Sequence, residues 1–237
     1  MRKFYLPVLV FAFTLPQTGY AQKKITFGIS AGSGLSWFSG KDTYRHTNYY
    51  QYYSNAELHD SVSNTYGNIP VAVTNFGITA RIFLNRIGLG ITIQHEFQGG
   101  AMIIDSIIIH SNRFQDGGRY LHRRQYLSFN PTIFFPLRLN KSEIIPQIGV
   151  DYAPDLEQSY MYKLKNSNYG TYGFSGGINE VKEIRITSGF SFVIERWLLN
   201  VVYKHGLTRY PNSKNNKAVL RVIQFNVLYN ILDKKLK

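Results

Sequence analysis

Large apolar residues alternate with small ones along much of this chain, and the pattern is clearest in residues 25–38. The odd positions there are mostly large and apolar, whereas the even positions up to Ser36 are all Thr, Gly or Ser. Successive side chains of a β-strand point to opposite faces. The pattern therefore predicts a strand with one apolar face and one face with almost no bulk.

Seven further segments show a similar alternation. Each holds about ten or more residues, which is the length that a tilted membrane-spanning strand needs. Pro131 and Pro136 weaken one of these predicted strands, because a proline cannot donate a hydrogen bond to the ladder. The seven segments are residues 71–84, 87–97, 126–137, 143–153, 184–195, 197–207 and 219–231.

The connections between these segments alternate in length. Short ones follow the second, fourth and sixth strands, at Asn85, Arg138 and Arg196. Long ones span residues 39–69, 98–118, 154–183 and 208–217. Outer-membrane barrels show this asymmetry, with short periplasmic turns and longer extracellular loops. We therefore predict an all-β fold: an eight-stranded antiparallel up-and-down transmembrane β-barrel, with both chain ends in the periplasm.

Periodicity alone leaves open which face points outward, since a soluble lipocalin-like barrel lines a ligand cavity with its apolar face. We favour the apolar face outside, because a narrow barrel must fill its interior without overcrowding and the other face is small. Trp37 and Trp197 fall at strand ends, where aromatic girdles lie. We assign to the small face a set of charges of both signs that can form an interior salt-bridge network: Arg81, Glu96, Asp151, Arg185, Glu195, Lys204 and Arg221.

The N-terminus has the pattern of a secretory signal. Arg2 and Lys3 precede an apolar run over residues 4–15, and small residues at Gly19 and Ala21 match a cleavage site. We expect cleavage after Ala21, so that residues 1–21 are a signal peptide and residues 22–237 form the barrel domain. No later run approaches the roughly 18 apolar residues of a membrane-spanning helix.

The amino-acid composition limits the kinds of ligand and partner that the protein can bind. The chain contains no cysteine, which excludes a disulfide framework and thiolate metal sites. Its net charge is +13, or +11 once the signal is removed. An excess of scattered basic residues favours attraction to anionic lipids and to the phosphates of lipopolysaccharide. We expect no nucleic-acid partner, because no nucleic-acid-binding motif accompanies these residues.

Signals for catalysis or metal binding are weak. Gly88 and Gly90 fall within a strand and so do not form a phosphate-binding loop. His95 and Glu96 lack the second histidine of a zinc-binding helix. His205 invites comparison with the His-x-Ser arrangement of an outer-membrane deacylase, but the serine position is Leu207.

The remaining histidines lie in or beside the long predicted loops, at spacings that define no metal site: His46, His59, His110 and His122. His59 and Asp60 leave a His-Asp protease arrangement open, since adjacency in sequence is not geometry. We predict no catalytic residue, no cofactor and no bound metal ion.

Short motifs resemble those of the PorT-like outer-membrane β-barrel family. Residues 203–208, Tyr-Lys-His-Gly-Leu-Thr, are similar to the Y-x-x-G-L motif of that family's seventh strand. Residues 126–131, Tyr-Leu-Ser-Phe-Asn-Pro, look like its Y-L-x-I-P motif, with the proline one residue late. The first strand and the end of the signal, Ala21-Gln22, also resemble it. The resemblance implies an eight-stranded Gram-negative outer-membrane barrel; some members of the family are linked to protein secretion.

These observations predict an outer-membrane protein that is not an enzyme, an envelope protein that anchors the membrane or binds partners through its long extracellular loops. The first of these loops contains six tyrosines between residues 44 and 66, which supply contact area at low entropic cost or simply pack an extended hairpin. The alternatives are a lipid-modifying enzyme of the outer membrane and a soluble lipocalin-like carrier.

Overall fold

The structure, a computed structural model, describes residues 23–54, 57–84, 86–109, 112–114, 117–139, 142–165, 171–176, 182–210 and 218–235. The predicted signal peptide, residues 1–21, lies outside these ranges. None of the residues described forms a helix with the length and hydropathy to cross a membrane.

The described residues form thirteen β-strands. In chain order they are β1 Lys24–Ser39, β2 His46–Ser54, β3 Glu57–Val62, β4 Val71–Leu84, β5 Ile87–Ile109, β6 Asn112–Phe114, β7 Gly118–Phe134, β8 Leu137–Leu139, β9 Ser142–Leu164, β10 Thr171–Gly176, β11 Lys182–Ile194, β12 Trp197–Gly206 and β13 Val219–Lys235.

Eight of these strands close into a barrel. Going round the ring, β1, β4, β5, β7, β9, β11, β12 and β13 each pair antiparallel with the next. The ring closes where β13 pairs with β1, from Lys24 opposite Lys235 to Ser39 opposite Val219. The chain is therefore an eight-stranded antiparallel up-and-down β-barrel, as the alternation predicted.

The apolar parity of every barrel strand faces outward. In β1, Ile29 is 50% exposed whereas Ser36 is fully buried, and in β4 the outward Phe76 is 59% exposed. A soluble barrel would not leave large aliphatic and aromatic side chains exposed all round its wall, because burying them is the main driving force of folding in water. The fold is thus a transmembrane barrel, and the lipocalin-like arrangement is excluded by the direction of these side chains.

The exposed apolar side chains define the membrane-spanning segments. At the lower, periplasmic end they begin near Ile25, Leu84 and Ile87, and at the upper end they stop near Leu35 and Leu207. Connections at the lower end are short. A tight turn lies at residues 195–196, β5 begins at Ile87 shortly after β4 ends at Leu84, and β8 pairs with the start of β9. The long connections are all at the upper, extracellular end.

Much of what we expected to be extracellular loop is β-strand. β5 and β9 each run 23 residues, well beyond the predicted ends at residues 97 and 153. Above the membrane β2 joins β5 in parallel and β3 joins β2, while β10 joins β9. The alternation of apolar and small residues stops there, because both faces of a strand outside the lipid can be polar. The hydrogen-bonded pairing of the strands nevertheless continues.

Other details also differ from the expectation. Pro131 lies inside β7, where the pairing with β5 continues through Pro131 opposite Ile91, but the pairing with β9 skips Asn130 and Pro131. Glu195 is exposed in the turn after β11, with a φ of 55°, and so does not enter the barrel. Arg221 lies on the outer face, because it shares the odd parity of β13, and it is opposite Trp37 and His205.

The barrel interior is packed in layers. An apolar plug fills the periplasmic end: Phe83, Phe134, Ile145, Leu198 and Leu228. Above it lies a polar cavity of about 20 Å³, close to the space of one water molecule, and above that a layer of charges and a layer of aromatic rings. The small face of β1 makes room for these side chains, since a Cβ at Gly32 would lie 2.0 Å from the Asn226 Oδ1 atom.

Because these layers fill the lumen, we predict that the purified barrel carries no porin-like ion current. Eight-stranded barrels have an interior just wide enough for their own side chains. Single-channel recording in planar bilayers measures this directly, with an open porin as the positive control. Steady, large unitary currents would contradict the packed interior.

Candidate functional site

Four charged side chains meet at the centre of the barrel. Glu96 of β5, Asp151 of β9, Arg185 of β11 and Lys204 of β12 are all essentially inaccessible to solvent. The Arg185 Nη2 atom lies 2.9 Å from a Glu96 oxygen and 2.7 Å from an Asp151 oxygen. Lys204 also bridges both acids, contacting Glu96 and lying 2.9 Å from Asp151. We call these residues the charge quartet.

Neutral side chains complete the hydrogen bonding of the quartet. Gln94 and Gln98 donate to the two oxygens of Glu96, and the Gln98 carbonyl accepts from Arg185 at 2.5 Å. The Ser128 hydroxyl donates to Asp151 at 2.5 Å. Charges buried in this way are tolerated only when they are paired and hydrogen-bonded. The quartet thus joins β5, β7, β9, β11 and β12 across the lumen.

Sequence analysis found all four members of the quartet but not their amide partners. Gln94, Glu96 and Gln98 occupy successive inward positions of β5, and the parity of the strand carries that signal. Of the other charges assigned to the interior, Arg81 is buried but lies apart from the quartet, with its guanidinium 4.8 Å from the Phe134 ring. Arg81 instead lines the polar cavity.

A cluster of rings closes the extracellular end of the barrel. Phe38 packs on Tyr66 and Tyr210 with centroid distances of 5.0 and 5.3 Å. His122 stacks between Phe38 and Tyr160, at 5.4 and 4.8 Å. We call these five residues the aromatic cap. Sequence analysis placed His122 in or beside a loop, but it is buried within β7.

Polar contacts join the aromatic cap to the barrel. Arg124 lies 2.7 Å from a carboxylate oxygen of the buried Asp155, and its guanidinium packs over the Tyr210 ring at 4.8 Å. The hydroxyls of Tyr126 and Tyr210 are 2.8 Å apart, and Arg185 of the quartet packs over Tyr126 at 5.4 Å. The cap and the quartet are therefore one continuous polar and aromatic structure.

Burial changes the protonation of the cap. It raises the pKa of the Tyr66 phenol to about 12. It lowers the pKa of His122 well below the usual 6.5, and the neighbouring Arg124 charge lowers it further. The Nε atom of Arg124 donates to the His122 Nε2 atom at 3.3 Å, which requires a neutral imidazole. His122 therefore acts as an uncharged packing group.

The remaining histidines that the structure describes in or beside the upper end lie in different parts of the fold. His46 pairs with Asp105 at 2.7 Å above the membrane. His205 is half-buried on the outer wall, with its Nδ1 atom 3.2 Å from the Tyr203 hydroxyl. The side chains of His59 and Asp60, and the whole of His110, lie outside the described part of the molecule. Across the ranges described, no three His, Cys, Asp or Glu residues come together as a metal site would require.

This arrangement is built to connect strands. Each acid of the quartet accepts from two cations, and the quartet is enclosed between the apolar plug and the aromatic cap. A general acid or base must reach a bound substrate to transfer a proton. Enclosed charges that bond to each other instead fix the positions of the four barrel strands that carry them.

Comparison with known proteins finds distant structural similarities. No protein-family model matches the chain, and no curated protein matches it. Among solved structures the chain is similar to Ail, the attachment invasion locus protein of Yersinia pestis, solved in complex with the heparin analogue sucrose octasulfate. The sequence identity is 10% and the TM-score is 0.35, and the match covers 89% of this chain and 100% of Ail. It is also similar to Neisserial surface protein A, with 10% identity, a TM-score of 0.40 and coverage of 86% and 97%. The fold assigned above rests on this chain's own strand pairing.

Replacing Glu96 by Gln should destabilise the barrel by about 3–5 kcal/mol, because two buried cations then share one carboxylate. Urea unfolding in detergent micelles measures the change, and Glu195→Gln, in the exposed turn, is the matched control that should stay within about 0.5 kcal/mol. The double variant Glu96→Gln, Lys204→Met should recover part of the loss. Simple additivity of the two single changes would contradict a coupled quartet.

Acidification should weaken the extracellular end through His122. The folded state keeps this ring neutral while the unfolded chain protonates below about pH 6.5, so stability is present above that pH and is lost below it. The loss of stability grows as the pH falls from 6.5 towards the lowered pKa that His122 has in the folded state. His122→Gln should flatten the pH dependence of the urea midpoint over this range. An unchanged pH profile in His122→Gln would refute this assignment.

Proposed function

We propose that this protein is a non-enzymatic protein of the outer membrane that binds a partner protein at a sheet standing above the barrel. The sheet consists of the upper parts of β5, β7 and β9, extended by β2 and β3 on one side and by β10 on the other. We call it the extracellular sheet. Within the part of the chain that the structure describes, β3 and β10 each pair with one strand only.

One observation carries the proposal: two like charges lie opposite each other on the outer face of this sheet. Arg119 of β7 pairs with Lys163 of β9, and both are exposed. Like charges at directly opposed positions destabilise a sheet. Departures from local stability rules are expected where a surface serves a function. Two adjacent cations suit an acidic surface on a partner.

The neighbouring outward pair supplies apolar contact area. Leu121 lies opposite Met161, next to the charged pair, and Met161 is 39% exposed. Met is adaptable and is enriched at protein interfaces, as is Arg. The inner face of the same sheet is held by a buried cluster of Tyr49, Met102, Ile104, Ile107, Tyr120 and Tyr162. The outer face therefore belongs to a sheet whose inner face is well packed.

We further propose that the chain is a PorT-like barrel, exported by the predicted signal and in contact with lipopolysaccharide. Its motif at residues 203–208 has physical reasons in this fold. A Cβ at Gly206 would lie 2.5 Å from a Glu183 oxygen. The Thr208 hydroxyl accepts from the Ile184 amide at 2.8 Å and donates to the Lys182 carbonyl at 3.0 Å. These contacts fasten the upper ends of β11 and β12, which supports the family assignment.

Photo-crosslinking in the native envelope tests the partner. A photoreactive residue at Met161 should yield a crosslinked protein, whereas one at Glu195, on the periplasmic turn, should not yield that species. Arg119→Glu should reduce the crosslink at least tenfold. The same change places opposite charges across the strands and should leave the sheet as stable as before or more so.

The two readouts of Arg119→Glu separate function from structure. Loss of the crosslink with an unchanged or raised unfolding midpoint supports a binding surface. A crosslink that survives Arg119→Glu, or the lack of any crosslink at Met161, would count against it. Heat-modifiable migration on a gel confirms that each variant is a folded barrel.

A further inference from the structure

The barrel wall has a gap on one side, where the strands β4 and β5 separate. Their pairing stops at Asn75 opposite Glu96, although β4 continues upward to Val71 beside β1 and β5 continues beside β7. Pairing resumes above the gap, where the backbones of Ile69 and Ala101 bond to each other at 3.0 and 3.1 Å. The Ser36 hydroxyl of β1 bonds both backbone groups of Gly99, at 2.7 and 2.8 Å. β5 is thereby drawn towards β1 and away from β4.

A cleft of about 370 Å³ fills the space between the two strands. Ala72, Thr74, Phe97 and Arg123 line it towards the outside, and Gln98, a partner of the charge quartet, lines it towards the barrel. Its volume lies within the usual range of small-molecule sites, roughly 300–1,000 Å³. We call it the β4–β5 cleft.

A second hollow lies directly below the β4–β5 cleft on the outer wall. It measures about 490 Å³ and is lined mainly by apolar side chains, among them Ile29, Phe76, Ile78, Ile93 and Leu127. Cleft and hollow follow each other along β4, from Val71 to Ile78, which is about 23 Å of strand. At the usual tilt of about 40° this is roughly 18 Å of depth, close to one hydrocarbon leaflet of about 15 Å.

Polar groups occur where the head of a lipid would lie. Arg123 is exposed at the upper edge of the cleft, and no residue lining the cleft is acidic. On the neighbouring strand β9, Ser159 lies opposite Arg123, and Glu157 accepts a hydrogen bond from Gln125. In the lower hollow, the His95 ring packs between Phe76 and Phe97 and so adds its faces to the apolar lining.

We propose that this groove binds one phosphorylated lipid of the outer leaflet, with an acyl chain in the lower hollow and a phosphate on Arg123. The apolar floor, the length of one leaflet and a cation at the upper end match lipid A in each respect. Lipid in this position covers the gap in the wall beside Gln98. The inference rests on the proposed contact with lipopolysaccharide, for which it names a site, and it is independent of the partner surface on the extracellular sheet.

Native mass spectrometry of the detergent-solubilised barrel tests the site. With added lipid A, the protein should carry one tightly held lipid per chain. Arg123→Gln should lower that occupancy at least tenfold, and Ala72→Phe should do so by filling the cleft. Two matched controls should retain the lipid: Arg119→Gln, four residues away on the same face of β7, and Ala80→Phe, outward on β4 below the groove.

The lipid itself is varied in the second arm. Dephosphorylated lipid A should bind at least tenfold more weakly than lipid A, with no further loss in Arg123→Gln. Equal occupancy by the two lipids, or equal loss in Arg123→Gln and Arg119→Gln, would overturn the proposal in favour of nonspecific lipid. A protein dimer that excludes lipid would overturn it in favour of a second copy of the chain. Heat-modifiable migration shows separately whether a variant has failed to fold.

Discussion

Every part of this molecule depends on one constraint: in hydrocarbon, each backbone N–H and C=O group must find its partner within the protein. A closed ladder of strands satisfies this for the whole wall at once, because a ring has no edge. The pairing of β13 with β1 along 16 residues of β1 completes the ring. Once the ring is closed, the apolar side chains of each strand can face lipid and the alternate side chains can be polar, while all backbone hydrogen bonds of the ladder are kept.

Closure creates a second problem, which the side chains solve. A narrow ring encloses a space that must be filled, and the inward parity of a membrane barrel is polar. The charge quartet meets both demands, since Glu96, Asp151, Arg185 and Lys204 fill the lumen and neutralise each other. The β4–β5 ladder, which stops above Asn75 and Glu96, does so beside a cation and an apolar hollow.

Residue patterns foretold the wall of the barrel well and the region above it poorly. Within the lipid, the requirement that one face be apolar gives a period of two, so the strands, their direction and all four members of the quartet follow from parity. Above the lipid that requirement lapses, and residues 98–109 and 154–164 continue as strands without the pattern. The β4–β5 cleft could not be foreseen, because it arises from a change of neighbour near Gly99 that local sequence does not encode. His122 shows the same limit, since its burial comes from rings on Phe38 and Tyr160 that are distant in the chain.

The closing seam also has a consequence for the order of events during assembly. β1 and β13 are the first and last described strands, so the contact that completes the ring joins residues about 200 positions apart. Contacts between segments so distant in sequence form slowly, because the entropy of closing the loop must be paid first. The seam is therefore expected to be the last ladder to form. Until it does, β1 and β13 expose the two unpaired edges that an assembly factor in the membrane would have to shield.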